Sequence, residues 1–188
     1  MLNKFSNEQY TERLLQIADE YEKKLYEFTK DTDGKDFLQT ILKGHLYIEQ
    51  ELNLLLGKYL KHPEHLDNRM NFSSKLNLVF ALGVIESPEK VVIQRINELR
   101  NKYAHQVNFE IDQEYFDDRI VAAFSDGTKK SYLQFLSSHK EKDQLIIQLG
   151  FALHTVWHML LEKALIPDDI REQLEKVYVE AAKTSPSL

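Results

Sequence analysis

The stretch Ile96-Asn97-Glu98-Leu99-Arg100-Asn101-Lys102-Tyr103-Ala104-His105 gathers an arginine, an asparagine and a histidine near the end of an expected helix. Arginine presents a planar fork of donors that matches a phosphate. Histidine is the side chain whose ordinary pKa suits proton transfer near neutral pH. The amide of Asn101 can donate and accept. Together these groups suit phosphoryl or acid–base chemistry without a metal.

The spacing sets a condition. Five residues on an ideal helix put His105 about 140° around from Arg100. The pair converges on one small group only if the arginine reaches or the helix ends. Gln106-Val107-Asn108-Phe109-Glu110-Ile111 is less helical in composition, so an ending near His105 is expected. The same residues also suit a structural role. Arg100 would then hold a salt bridge, and His105 would sit at a helix C-terminus, where positive charge is favoured.

Arg100 with His105 five positions on, and a polar residue directly after the arginine, resembles the Arg-x4–6-His motif of the HEPN superfamily. These are all-helical domains, many of them metal-independent ribonucleases. The preceding Phe72-Ser73-Ser74-Lys75-Leu76-Asn77-Leu78-Val79-Phe80-Ala81-Leu82-Gly83-Val84-Ile85 is similar to the matching stretch of mannitol operon repressors. Those proteins resemble HEPN domains and are assigned to transcriptional control. The resemblance spans roughly Gly44 to Asp112.

Two expectations follow from it. The first is a toxin- or defence-type endoribonuclease with Arg100 and His105 as catalytic residues. Asn101, Glu49, His45 and Tyr103 would support them. RNA would be the substrate, and two copies would face each other in a homodimer. An antitoxin-like protein partner would go with toxicity. The second expectation is a non-catalytic, repressor-like regulator that acts through a protein partner, with Arg100 and His105 structural. Neither needs a cofactor or a metal.

Composition narrows the field. A chain of 188 residues with 43% hydrophobic and 29% charged residues is expected to make one globular domain with a real core. With no cysteine there is neither a disulfide nor a thiolate metal site. Six glycines and four prolines leave few helix breakers. A net charge of −6 disfavours broad, non-specific binding to DNA or to a membrane surface. Polar and charged residues set in at Asn3 and Lys4 and no apolar run follows, unlike a secretory leader, so a cytoplasmic location is the default.

The elements that position the motif are all helices. The expected fold class is all-α, with one domain over 1–182 and a disordered tail at 183–188, and the resemblance implies a HEPN-like bundle of about six to eight helices. Tyr10, Leu14, Ile17, Tyr21, Leu25 and Phe28 recur at helical spacing from a cap at Asn7 through about Lys30. Phe37, Ile41, His45, Ile48, Leu52, Leu55 and Tyr59 mark a second long helix from about Asp36 to Leu60. His45 lies on its apolar stripe and Glu49 one turn further. They read either as a buried histidine satisfied by a carboxylate or as support for Arg100, with Glu49 orienting the guanidinium. Ser73 or Ser74 opens a short helix that stops at Gly83. Ser87-Pro88-Glu89 starts the motif helix, with Val91, Val92, Ile96, Leu99 and Tyr103 on its inner side. Asp112 caps a helix expected to run through Phe124. Ser125-Asp126-Gly127 reads as a turn, followed by a short helix or extended piece at Tyr132, Phe135 and Leu136.

Gln144 to Leu161 carries no Asp, Glu, Lys or Arg. That is near the length of a membrane span, but Gln148, His154, Thr155 and His158 interrupt it. It reads as the central helix of a bundle or a dimer contact, with no membrane partner. His154, His158 and Glu162 share a face at four-residue spacing, yet no further ligand is evident, so no metal is expected. Pro167-Asp168-Asp169 starts a last amphipathic helix through about Ala182. The sequence contains no repeat, glycine-rich phosphate loop, nucleophile elbow or basic–aromatic RNA platform.

Overall fold

The computed structural model describes residues 7–33, 36–67, 69–138 and 144–173. Over them the chain is all-helical, as its composition leads one to expect. Seven α-helices follow in order: α1 (Asn7–Thr32), α2 (Phe37–Tyr59), α3 (Phe72–Ala81), α4 (Ser87–His105), α5 (Gln113–Arg119), α6 (Asp126–Ser138) and α7 (Leu145–Leu165). Short 3-10 turns fall at Pro63–His65 and Val121–Ala123. A further helical segment occupies 168–173. The remainder of the expected last helix, through Ala182, and the tail at 183–188 lie outside the described residues.

Local chemistry fixes the helix ends. Asp36 caps α2 by accepting a 2.8 Å bond from the Gln39 amide. Asn71, rather than Ser73 or Ser74, caps α3 through the Ser74 amide at 2.9 Å. Both short polar side chains satisfy amides that have no partner within the helix. At the other end of α3, Gly83 takes a left-handed φ of 72°. Its amide bonds to the Phe80 carbonyl, and that of Val84 to the Val79 carbonyl. This is the six-to-one, five-to-two closure that a glycine after the cap permits.

Three expectations are corrected. The cap of α4 is Glu86, and Ser87 is already helical. The Glu86 amide donates to Glu89 Oε2 at 2.7 Å, so the acid three residues on closes the end. The helix that Asp112 caps stops at Arg119 instead of reaching Phe124. Its continuation tightens into the 3-10 turn, which brings Phe124 within 5.8 Å of the Tyr132 ring on α6. Finally, α6 is a full helix of 13 residues. Ser125 Oγ accepts from the Thr128 amide at 3.2 Å, so an apparent turn is a helix cap.

The bundle is built around α2. Phe28–Tyr47 and Lys24–Glu51 contacts set α1 antiparallel to it. Gly44 meets Leu153, and Lys58 donates to the carbonyls of Lys163 and Ile166, so α7 runs parallel to it. At Gly44 an added Cβ would lie 2.7 Å from Leu153 Cδ1, which shows how closely the two helices approach. On the other flank α3 and α4 complete the layer around α2. One apolar cluster draws buried residues from all seven helices, among them Phe28, Ile41, Phe72, Ile96, Phe116, Tyr132 and Trp157. Trp157 is fully buried and stacks on Phe28, with ring centroids 4.2 Å apart. By length and composition α7 could cross a membrane: it has 21 residues and a mean hydropathy of 1.3, and 44% of that apolar window lies inside the bundle. Here it serves as the core helix.

Candidate functional site

α4 ends at His105, and Gln106 leaves it with φ −121° and ψ 102°. The helix ends where the composition led one to expect, but only after His105, so both motif residues remain on α4. His105 is exposed, while Arg100 and Asn101 are half-buried. The two key side chains do not share a direction. From Ile96 at the core, Arg100 lies about 40° around α4 and His105 about 180°.

Arg100 is held on the side of α4 that faces α2. Its Nη1 donates to Asn101 Oδ1 at 3.1 Å. Its Nε is buried and has no hydrogen-bond partner among the described residues. Arg95 and Arg119 share Glu98, Arg13 reaches Asp169 and Arg171 reaches Asp168. Arg100 pairs with no carboxylate among the described residues, so the salt bridge that would explain it as a structural residue is missing there.

The neighbour that the fold brings to Arg100 is His45. It is 4% exposed. Its ring lies against Phe72 with centroids 4.3 Å apart. Nε2 is 2.9 Å from Asn97 Oδ1. With that oxygen as acceptor, Nε2 carries the ring proton. Burial lowers the His45 pKa below 6.5; the Asn97 bond opposes this, the nearby Arg100 charge adds to it, and Glu49 opposes it. A neutral His45 beside Arg100 leaves the guanidinium as the local positive charge.

Glu49 does not orient Arg100. Its Oε1 accepts from Lys75 Nζ on α3 at 2.8 Å, in a pair that is largely shielded, with side chains 27% and 14% exposed. The carboxylate one turn after His45 is thus spent on a neighbouring helix. Tyr103, expected among the supporting residues, lies at the other end of the motif, beside the chain that follows α4. Its ring packs edge-to-face on Phe109 with centroids 5.1 Å apart. Burial raises its pKa, and a hydrogen bond with the backbone of Ile111 opposes the rise. Tyr103 fixes the segment that follows His105.

Two groups escaped the sequence reading. Asn97 and Lys75 complete the polar contacts around His45 and Glu49. Asn97 precedes Arg100 by one turn, a polar residue on the edge of an apolar stripe, which was its only signal. The second group is Lys102 with Phe109 and Tyr115. The ammonium of Lys102 lies 5.1 Å from the Phe109 centroid and 4.5 Å from that of Tyr115.

On α7, His158 Nδ1 lies 3.8 Å from Glu162 Oε2. The His154 ring lies 5.7 Å from that of His158 and also packs on Phe28 and Trp157. Among the described residues no three His, Cys, Asp or Glu side chains gather as a metal would require. Comparison of the chain with family models, with curated proteins and with solved structures gives no match.

Proposed function

We propose that this chain is a metal-independent endoribonuclease of the HEPN kind. One observation carries the reading: Arg100 is a half-buried cation without a carboxylate partner among the described residues, five positions before an exposed histidine. A guanidinium held in place and not neutralised is a standing anion site.

RNA supplies its own nucleophile. The 2′-hydroxyl attacks the adjacent phosphorus, and the bond to the 5′-oxygen breaks. The products are a 2′,3′-cyclic phosphate and a 5′-hydroxyl. A proton must leave the 2′-oxygen and another must reach the 5′-oxygen, which is work for His105. Arg100 neutralises the charge that grows on the non-bridging oxygens. Asn101 steadies Arg100. Since Arg100 and His105 of one chain point about 140° apart, a second copy related by a two-fold axis supplies the facing half of the site.

The test is cleavage of single-stranded RNA in the presence of chelator, with light scattering to establish the assembly. Cyclic phosphate ends and resistance of a substrate with 2′-deoxyribose at the cut position are expected. His105→Ala should slow cleavage by about 10²–10⁴-fold. A folded dimer that cuts no RNA would end the proposal and leave a repressor-like interaction module as the better account.

A further inference from the structure

We infer that Lys102, Phe109 and Tyr115 form a subsite for an unpaired nucleobase, next to the phosphate handled at His105. The inference rests on the RNA reading above.

The three side chains come from the last turn of α4, from the segment after it and from α5. Phe109 and Tyr115 meet edge-to-face, with centroids 5.5 Å apart and planes at 74°. Tyr103 backs Phe109 in the same manner at 79°. The Phe109 amide bonds to the Gln106 carbonyl at 3.1 Å, which turns the chain back on α4 immediately after His105. All three rings are half-buried. They are anchored in the fold but keep surface toward solvent. Pre-set rings of this kind cost little to order when a base stacks on them.

Charge names the occupant. Lys102 pairs with no carboxylate among the described residues, and its ammonium rests over the two rings instead. Arg100, two residues earlier, is likewise without a carboxylate. In a chain of net charge −6, an uncompensated cation in the last turn of this helix marks a local anion contact, on the side of α4 turned away from Arg100. Lys102 precedes His105 by three residues, so the two are neighbours on the helix surface. A strand whose phosphate reaches His105 thus places its flanking base over Phe109 and Tyr115, and Lys102 swings to the backbone phosphate. Cation plus aromatic face is the combination that holds single strands, and it is sequence-tolerant because every base has a π-face. Paired bases in a duplex are stacked on each other and cannot reach the rings.

The test uses the full chain carrying His105→Ala, so that bound RNA stays intact. The probe is a short single-stranded RNA with 2-aminopurine placed at successive positions. Its fluorescence should be quenched at one position. Tyr115→Leu and Phe109→Leu should weaken binding about 5-fold or more, while Tyr115→Phe keeps it. Lys102→Gln should weaken binding and flatten its salt dependence. In the otherwise unaltered chain, Tyr115→Leu should raise KM while kcat stays within about twofold.

Tyr115→Leu with the parent's circular dichroism, melting point and RNA affinity would overturn the subsite. So would duplex RNA bound as tightly as the single strand. If Tyr115→Leu fails to fold, Lys102→Gln decides: unchanged affinity and salt dependence count against the subsite. Failure of the subsite with RNA cleavage intact leaves the nuclease standing. A parent chain that neither binds nor cuts RNA removes both.

Discussion

His45 Nε2 lies 2.9 Å from Asn97 Oδ1, and that bond ties α2 to α4 one turn ahead of Arg100. It links a buried ring on the central helix to the helix that bears the motif. The ring is lodged against Phe72, so a change at any of the three shifts the base of Arg100.

The titration of His45 follows from this setting. Burial holds its pKa below 6.5, with Arg100 pushing the same way. The unfolded chain therefore binds a proton that the folded chain refuses. Stability is full above pH 6.5 and is lost as the pH falls from there through the depressed folded value. Histidine NMR resonances should show His45 titrating below an ordinary histidine. Asn97→Leu should cost about 1–3 kcal/mol by leaving a buried ring nitrogen without its partner. A His45 that titrates at 6.5 or above would refute the buried, neutral assignment.

Substitution of Arg100 should separate the proposed cleavage from stability. It neutralises no carboxylate among the described residues, so Arg100→Gln should leave the folding free energy within about 0.5 kcal/mol of the parent. RNA cleavage should fall by about 10²–10³-fold, the usual worth of a group that stabilises charge in the transition state. Arg100→Lys keeps the charge but loses the fork, so it should be impaired as well. A large fall in melting temperature for Arg100→Gln would give the residue a structural role instead.

The α2–α7 approach should tolerate no bulk at Gly44. An added Cβ would stand 2.7 Å from Leu153 Cδ1 and 2.9 Å from Cδ2, and Leu153 is fully buried. Gly44→Val should destabilise by about 1–3 kcal/mol through overpacking. Gly57 has nothing within 4 Å of an added Cβ. Gly57→Ala should therefore stabilise by up to about 1 kcal/mol through helix propensity. Urea unfolding of the two variants, compared with the parent, checks both signs.

Glu51 provides a second pH signature with the opposite sign. It is 1% exposed on α2, with Lys24 Nζ 3.3 Å from Oε1. Burial raises its pKa above 4.5, and Lys24 and the Trp157 indole oppose the rise. Its stabilising contribution is full below 4.5 and is lost as the pH rises through the folded value. Trp157 is the sole tryptophan, so its emission should follow this ionisation above pH 4.5. The step should vanish in Glu51→Gln. A step that survives in that variant would assign the titration to another group.

Much of the architecture could be read from periodicity. The stripe from Tyr10 to Phe28 and the stripe from Phe37 to Tyr59 each named a helix and its inner face, and the uncharged run of α7 named a core helix. Gly83 and Asp112 also lay where their chemistry put them. The departures have a common cause. Ser125-Asp126-Gly127 resembles a turn until the Ser125 hydroxyl finds the Thr128 amide, and that bond is too local to leave a periodic trace. Glu49 looked free to meet Arg100 because Lys75 lies 26 residues away on α3. Sequence spacing shows which residues share one helix face, whereas partners on other helices depend on how the helices cross. The lysine–aromatic cluster was invisible for the same reason: Lys102, Phe109 and Tyr115 follow no common period and meet only where α4 turns into α5.

The pairing of α2 with α7 sets an order of events on the ribosome. The central helix, with its apolar stripe Ile41, Ile48, Leu52 and Leu55, is finished by Tyr59, but α7, the helix it packs against most, begins at Leu145. For most of synthesis that apolar stripe is exposed with its main partner still unmade. Such a nascent chain offers a long hydrophobic surface to anything nearby, including other copies of itself. Any truncation before α7 should therefore yield an aggregating or degraded product rather than a smaller folded unit, so α4 and its motif are held in place only once the C-terminal part of the chain has emerged.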